Sequence, residues 1–131
     1  MQGLHLTADL RGCPAAQPAM TTPEALRELC VAAVHDAGLL PVGECFHGFP
    51  PENGEPRGVT GVVLLAESHL AVHTWPEIDA VTLDVYVCNL GADNSAKAHR
   101  LLDTLLAAFG PASVARHALQ RGAAPTLERA A

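Results

Sequence analysis

Apolar residues recur along this chain with two periods, and the switches between them predict its elements. Residues 3–10, GLHLTADL, alternate with Leu4, Leu6 and Ala8 on one side, which predicts a first strand. Residues 12–23 are rich in Pro, Ala and Thr and predict a loop. From Thr22-Pro23-Glu24 onward Leu26, Leu29, Cys30, Ala33 and Val34 recur at helical spacing. Thr21 or Thr22 can cap the free amides, Pro23 suits the first turn and Glu24 complements the positive helix end. Gly38 supplies a left-handed stop. Leu39 to Phe49 predicts a strand, weakened by Pro41, and 50–58 (PPENGEPRG) a polar, turn-rich loop. Val59 to Ala66 is a strongly apolar strand, and His69 to Trp75 also has strand character. In Ala80 to Val87, Val81, Leu83, Val85 and Val87 alternate with Thr82, Asp84 and Tyr86. A second helix, capped by Asn94, carries the stripe Leu101, Leu102, Leu105, Leu106 and Phe109 and stops at Gly110-Pro111. Residues 113–120 predict a last strand and 121–131 a frayed tail.

The order β-α-β-β-β-β-α-β predicts an α+β fold: a two-layer sandwich, with two helices on one face of a mostly antiparallel sheet. The other face of the sheet must be covered or wet, and sheet-to-sheet dimerisation would cover it. A length of 131 residues predicts one domain over 1–131. The chain is 49% hydrophobic and 17% charged, with a mean hydropathy of +0.19, as expected of a globular protein. The apolar run Val62–Ala66 is short, and no run approaches the length of a membrane span. The segment MQGLHLTADLR lacks a basic stretch followed by an apolar one, so a cytoplasmic protein is expected. A formal charge of −6 argues against nucleic acid and anionic membrane as partners and favours a cationic ligand. Cys13, Cys30, Cys45 and Cys88 form no CxxC; the first three are expected to be small core residues.

Chemistry concentrates in residues 66–77, AESHLAVHTWPE, which place two His, two Glu, a Ser, a Thr and the single Trp directly after the most apolar strand. Polar groups crowded beside a buried strand must be paired or lose several kcal/mol of solvation, roughly. Three readings compete. His69 and His73, with Cys88 or a Glu, could hold zinc, although HxxxH serves that role best on a helix and Pro76 opposes one. A Ser-His hydrolase would need a nucleophile elbow, and no GxSxG is present. In the third reading Ser68 attacks its own backbone. If strands 59–66 and 70–75 pair, Glu67 and Ser68 lie at the reversal, where neither is a favoured turn residue. The Glu67–Ser68 peptide would be strained, and Thr60 and His73 would come into register and flank it.

The run Gly58 to Glu77, GVTGVVLLAESHLAVHTWPE, followed by Cys88, resembles the prokaryotic S-adenosylmethionine decarboxylase proenzymes. The likeness extends from Gly3-Leu-His-Leu through Phe46-His47-Gly48-Phe49 to the second helix and fades after about residue 110. It implies autocatalytic serinolysis at Glu67-Ser68. The Ser68 hydroxyl attacks the Glu67 carbonyl, and elimination with His73 as base converts Ser68 into a pyruvoyl group. The zymogen thus becomes a β chain, 1–67, and an α chain, 68–131. Thr60 matches the position of a hydroxyl that assists processing, commonly Ser. The pyruvoyl cofactor captures the substrate amine as a Schiff base and accepts the electrons freed when CO₂ leaves. Cys88 matches the acid that returns a proton.

For the substrate, S-adenosylmethionine, the resemblance implies that Glu77 holds the ribose hydroxyls, Phe49 stacks on adenine and Leu70 lines the same pocket. Part of the site would come across the interface of a homodimer of αβ units. His5 and His47 match further family positions but receive no role. Asp84 reads as a solvated residue of the polar face. The implied product feeds spermidine and polyamine biosynthesis. Two alternatives keep their place: arginine or ornithine as substrate on the same scaffold, and an unprocessed binding or regulatory module.

Overall fold

The computed structural model describes residues 2–122. Six strands and two α-helices follow in chain order: β1 (Gly3–Arg11), α1 (Pro23–Asp36), β2 (Pro41–Gly48), β3 (Val59–Leu65), β4 (Ser68–Trp75), β5 (Ala80–Cys88), α2 (Ser95–Phe109) and β6 (Ser113–Arg121). All neighbours pair antiparallel, in the order β2-β3-β4-β5-β1-β6. The helices pack on one face, giving the two-layer α+β sandwich that the alternation predicts.

That alternation divides the sheet into two surfaces. Leu4, Leu6, Leu10, Val63, Leu70, Val72, Leu83, Val85 and Val87 point at the helices and meet Leu26, Cys30, Val34, Leu101, Leu105 and Phe109 in one core. The opposite, outer face carries His5, Thr60, Val62, Leu64, His69, His73, Thr82, Asp84 and Tyr86, the positions between the core residues. Thr74 is the one buried polar residue among those described, and its hydroxyl is fully used. It accepts from the Val59 N–H at 2.8 Å and donates to the Met20 carbonyl at 2.8 Å, tying β3, β4 and the Pro18–Met20 turn together. Replacing Thr74 by Val keeps the volume and orphans both partners. The expected loss is about 1–3 kcal/mol, read as a lower denaturant midpoint at unchanged slope.

Several boundaries differ from expectation for local reasons. The second strand begins at Pro41 and ends at Gly48, and a register shift between Pro41 and Gly43 follows the missing proline donor. Pro76–Ile78 form a 3₁₀ turn that Pro76 opens and Asp79 closes at φ +51°. Gly38 (φ +80°) and Gly110 (φ +61°) end their helices in the left-handed region as predicted. Thr22 occupies the N-cap position without a side-chain cap bond. Cys13 and Cys30 lie in the core, and burial pushes the Cys30 thiol up to about 12. Cys45 is exposed, because it pairs with Val62 on the outer face. Arg121 belongs to β6; of the predicted tail, 123–131 lie outside the described residues. No helix among the described residues is long and apolar enough to cross a membrane.

Candidate active site

The β3–β4 hairpin carries the candidate residues at its two ends. At the tip Leu65 pairs with Ser68, so the chain reverses through Ala66 and Glu67 alone. Glu67 has φ +57°, and Ala66 does not share that region. Hairpin turns that match strand twist have positive φ at both central residues or at the first; here only the second has it. Among the described residues the other non-glycine positions in this region are Asn53 and Asp79, types that tolerate it. A Glu held there stores roughly 1–3 kcal/mol. The left-handed residue is the one whose carbonyl belongs to the Glu67–Ser68 peptide.

Ser68 opens β4, and its Oγ accepts the Cys88 backbone N–H at 3.0 Å. That contact joins the two residues which the resemblance links to the cofactor and its proton return. A donor aimed at Oγ favours its deprotonated form, and so the loss of the hydroxyl proton that precedes attack. Cys88 closes β5 at 8% exposure. Its backbone is held by an amide network: Asn94 Nδ2 donates to the Cys88 carbonyl at 2.8 Å, and the Asn94 N–H donates to Asn89 Oδ1 at 2.7 Å. Asn94 stands at the α2 N-cap but turns its side chain to Cys88. Asp93 takes over, its Oδ1 accepting the Ser95 N–H at 3.0 Å, which holds the Asp93 carboxyl below its ordinary range.

At the other end Thr60 and His73 are direct partners across β3 and β4, as expected, and Thr60 Oγ1 is hydrogen-bonded to His73 Nδ1. They line a cleft of about 400 Å³ with Phe49, Trp75, Glu77 and Arg57. Phe49 is half-exposed just after β2, and Trp75 forms a wall with its Nε1 3.4 Å from Thr82 Oγ1. The 3₁₀ turn after Pro76 puts Glu77 on the rim. Phe49 and Glu77, which the resemblance links to a nucleoside, therefore share one cleft with the His73 imidazole.

One expectation is overturned. Thr60 and His73 do not flank the Glu67–Ser68 bond within a chain: five ladder steps separate their pair from the Leu65–Ser68 pair. At ~3.4 Å per residue that is about 17 Å. The register is right, but an extended strand turns five residues into a long span. Leu70 shares the Ser68 face of β4, is fully buried against the helix layer and does not line the cleft.

His69 and His73 also stand apart, four residues along one strand face or about 14 Å, too far for one ion. His69 instead joins His5: their Nε2 atoms lie 2.8 and 2.9 Å from the same Asp84 Oδ2. Asp84 is thus an acceptor in a half-buried cluster and not a solvated residue. These three ligand-type atoms lie within 4.8 Å of one another. Arg121 NH1 donates to His5 Nδ1 at 3.2 Å, however, which places the His5 proton on Nε2 and leaves that atom no lone pair for a metal.

The family model described as S-adenosylmethionine decarboxylase matches residues 4–122. The chain belongs to the S-adenosylmethionine decarboxylase family. That match runs through β6, beyond residue 110, where the likeness was expected to fade. A proenzyme of this family from Aquifex aeolicus is 38% identical over 120 residues, covering 92% of this chain and 81% of the relative. One from Archaeoglobus fulgidus is 34% identical, covering 92% and 97%. The crystal structure of the Aquifex aeolicus adenosylmethionine decarboxylase superposes with a TM-score of 0.81 at 36% identity, covering 94% of this chain and 92% of the other. Both ends of the hairpin lie inside the residues that the family model matches. Arg57 and the Asn89–Asn94 network belong to no motif in the sequence. Arg57 was visible as the lone cation in an acidic loop; the network joins residues whose partners only the fold brings together.

Proposed function

We propose that this family member is a pyruvoyl-dependent S-adenosylmethionine decarboxylase that makes its cofactor from Ser68. The observation that carries the reading is the left-handed Glu67 beside a Ser68 oxygen that already accepts an amide proton. The Ser68 Oγ bonds to the Glu67 carbonyl carbon while the Glu67–Ser68 C–N bond breaks and the nitrogen gains a proton, giving an ester. A base then removes the Ser68 α-proton and the Cβ–O bond breaks, freeing Glu67 as a carboxylate end. Water adds to the resulting imine and ammonia leaves, so residues 1–67 and a pyruvoyl-capped 68–131 remain. A residue at the start of β4, beside Cys88 and behind a strained turn, suits this conversion. The finished group supplies one carbonyl to capture the substrate amine and an amide carbonyl to take up electrons. In the same reading Cys88 returns a proton to the substrate carbon, Phe49 stacks on adenine and Glu77 accepts from the ribose hydroxyls. Leu70 supports the Ser68 face from below.

The base is assigned to His73, with Thr60 setting its orientation. The separation of about 17 Å makes that assignment require a second chain. Two copies stacked through their outer faces, related by a two-fold axis, would bring the tip of each hairpin to the cleft of the other. The outer face supports this: Leu64 and Trp75 are 48% and 44% exposed there, beside the half-buried His5–Asp84–His69 cluster. We place the protein in the cytoplasm, where four free thiols persist. Its product would donate aminopropyl groups for spermidine synthesis.

Carboxyl-labelled S-adenosylmethionine, arginine and ornithine, each offered to purified protein, test the substrate. Labelled CO₂ is expected from S-adenosylmethionine alone. Release from arginine or ornithine instead would overturn the substrate and leave the self-cleavage standing. The cleft favours the nucleoside, since it offers an aromatic face and a rim carboxylate to a sulfonium cation.

A further inference from the structure

We infer that Arg57 is a positioning residue for Glu77 and thereby sets the affinity of the cleft for nucleosides. The inference rests on the substrate reading above and deepens it by naming what holds the rim carboxylate.

The loop that carries Arg57 is a built element. Glu52 and Glu55 exchange both backbone hydrogen bonds, each 2.9 Å, around Asn53 (φ +54°) and Gly54 (φ +77°). Positive φ at both central residues is the two-residue turn that matches strand twist. At its foot the Phe49 N–H donates to the Gly58 carbonyl at 3.0 Å. Gly58 is pressed against β4, where a Cβ would lie 1.9 Å from the Thr74 carbonyl oxygen. Residues 49–58 therefore form a small hairpin fastened to β4, and it stands as one wall of the cleft.

Arg57 projects from that wall between two carboxylates. Its Nε lies 3.4 Å from Glu52 Oε2 and 3.7 Å from Glu77 Oε2, and NH1 donates to the Pro56 carbonyl at 3.4 Å. Among the described residues it is the only Lys or Arg lining the cleft, and its side chain is 24% exposed. Among the described residues it is also the only cation paired with Glu77. A rim carboxylate without such a partner swings freely to water. Arg57 engages one oxygen from the hairpin side and leaves the other for donors inside the cleft, as vicinal ribose hydroxyls are. Two acids against one base still leave the corner negative, so a cationic substrate is not repelled.

A merely superficial ion pair would change stability slightly and affinity not at all. The test measures kcat and KM for S-adenosylmethionine, and inhibition by methylthioadenosine, on wild type, Arg57→Ala and Arg57→Lys. Arg57→Ala is expected to raise KM and the methylthioadenosine inhibition constant together by about fivefold, with kcat and self-cleavage unchanged. Arg57→Lys, which keeps the charge and loses the planar fork, is expected to fall between. KM and inhibition constants within twofold of wild type would overturn the inference. If wild type does not act on S-adenosylmethionine, the substrate reading has failed separately. Calorimetric binding of methylthioadenosine to the same three proteins then decides on Arg57: equal affinities, or no binding, overturn it.

Discussion

Co-expressing a Ser68→Ala chain with a His73→Ala chain is expected to restore a cleavage that neither variant shows alone. The Ser68→Ala chain keeps the imidazole and lacks the nucleophile; the His73→Ala chain is the reverse. Because the two residues lie at opposite ends of one hairpin, a mixed dimer of the proposed kind would rebuild one complete site, with His73 of one copy facing Ser68 of the other. Random pairing makes half of the dimers mixed, so about one quarter of all chains should be cut, every one of them a His73→Ala chain. Distinct tags and denaturing electrophoresis read this directly. If tag capture proves mixed dimers and both chains stay intact, the assignment of His73 across the interface is wrong. Cleavage of a dilute, demonstrably monomeric wild type would overturn it from the other side.

The larger effect is expected from Ser68→Ala alone. Wild type should run as two fragments, each roughly half of 13.7 kDa, and borohydride in the presence of substrate should add mass to the fragment beginning at residue 68. Ser68→Ala should run as one band, bind no substrate covalently and release no CO₂ above background. The expected loss in turnover is more than about 10⁴-fold, since the group that takes up the electrons is never made. The Ser68 side chain makes one hydrogen bond and the residue is only half-buried, so the variant should remain folded. A mature wild type that decarboxylates S-adenosylmethionine with Ser68 chemically intact would remove the basis of the proposed chemistry.

Most of the fold was legible because it rests on local periodicity. Val81 to Val87 alternate in sequence and in burial alike, and Leu101, Leu102, Leu105 and Phe109 lie along the buried stripe of α2. The strain at Glu67 was legible too, since the turn had only poor residues to use. The pairing of Thr60 with His73 follows from counting back along the hairpin. The same count, converted into length, separates that pair from Ser68. What escaped the sequence is non-local. Asp84 reads as one more polar alternation until β1 and β4 bring His5 and His69 to it. Asn94 reads as a cap until the end of β5 gives it a carbonyl to hold. The wall of the cleft depends on Gly58 meeting Thr74, sixteen residues downstream, through a contact that has no periodic signal.

The strand order has a consequence for what remains after the chain is severed. Strands β1, β2 and β3 precede the proposed cut at Glu67–Ser68, and β4, β5 and β6 follow it, yet β1 is seated between β5 and β6. The two pieces interlock like the fingers of clasped hands, joined along three separate seams: β3 with β4, β5 with β1, and β1 with β6. Relieving one tight bend therefore frees a new chain end for chemistry while parting nothing.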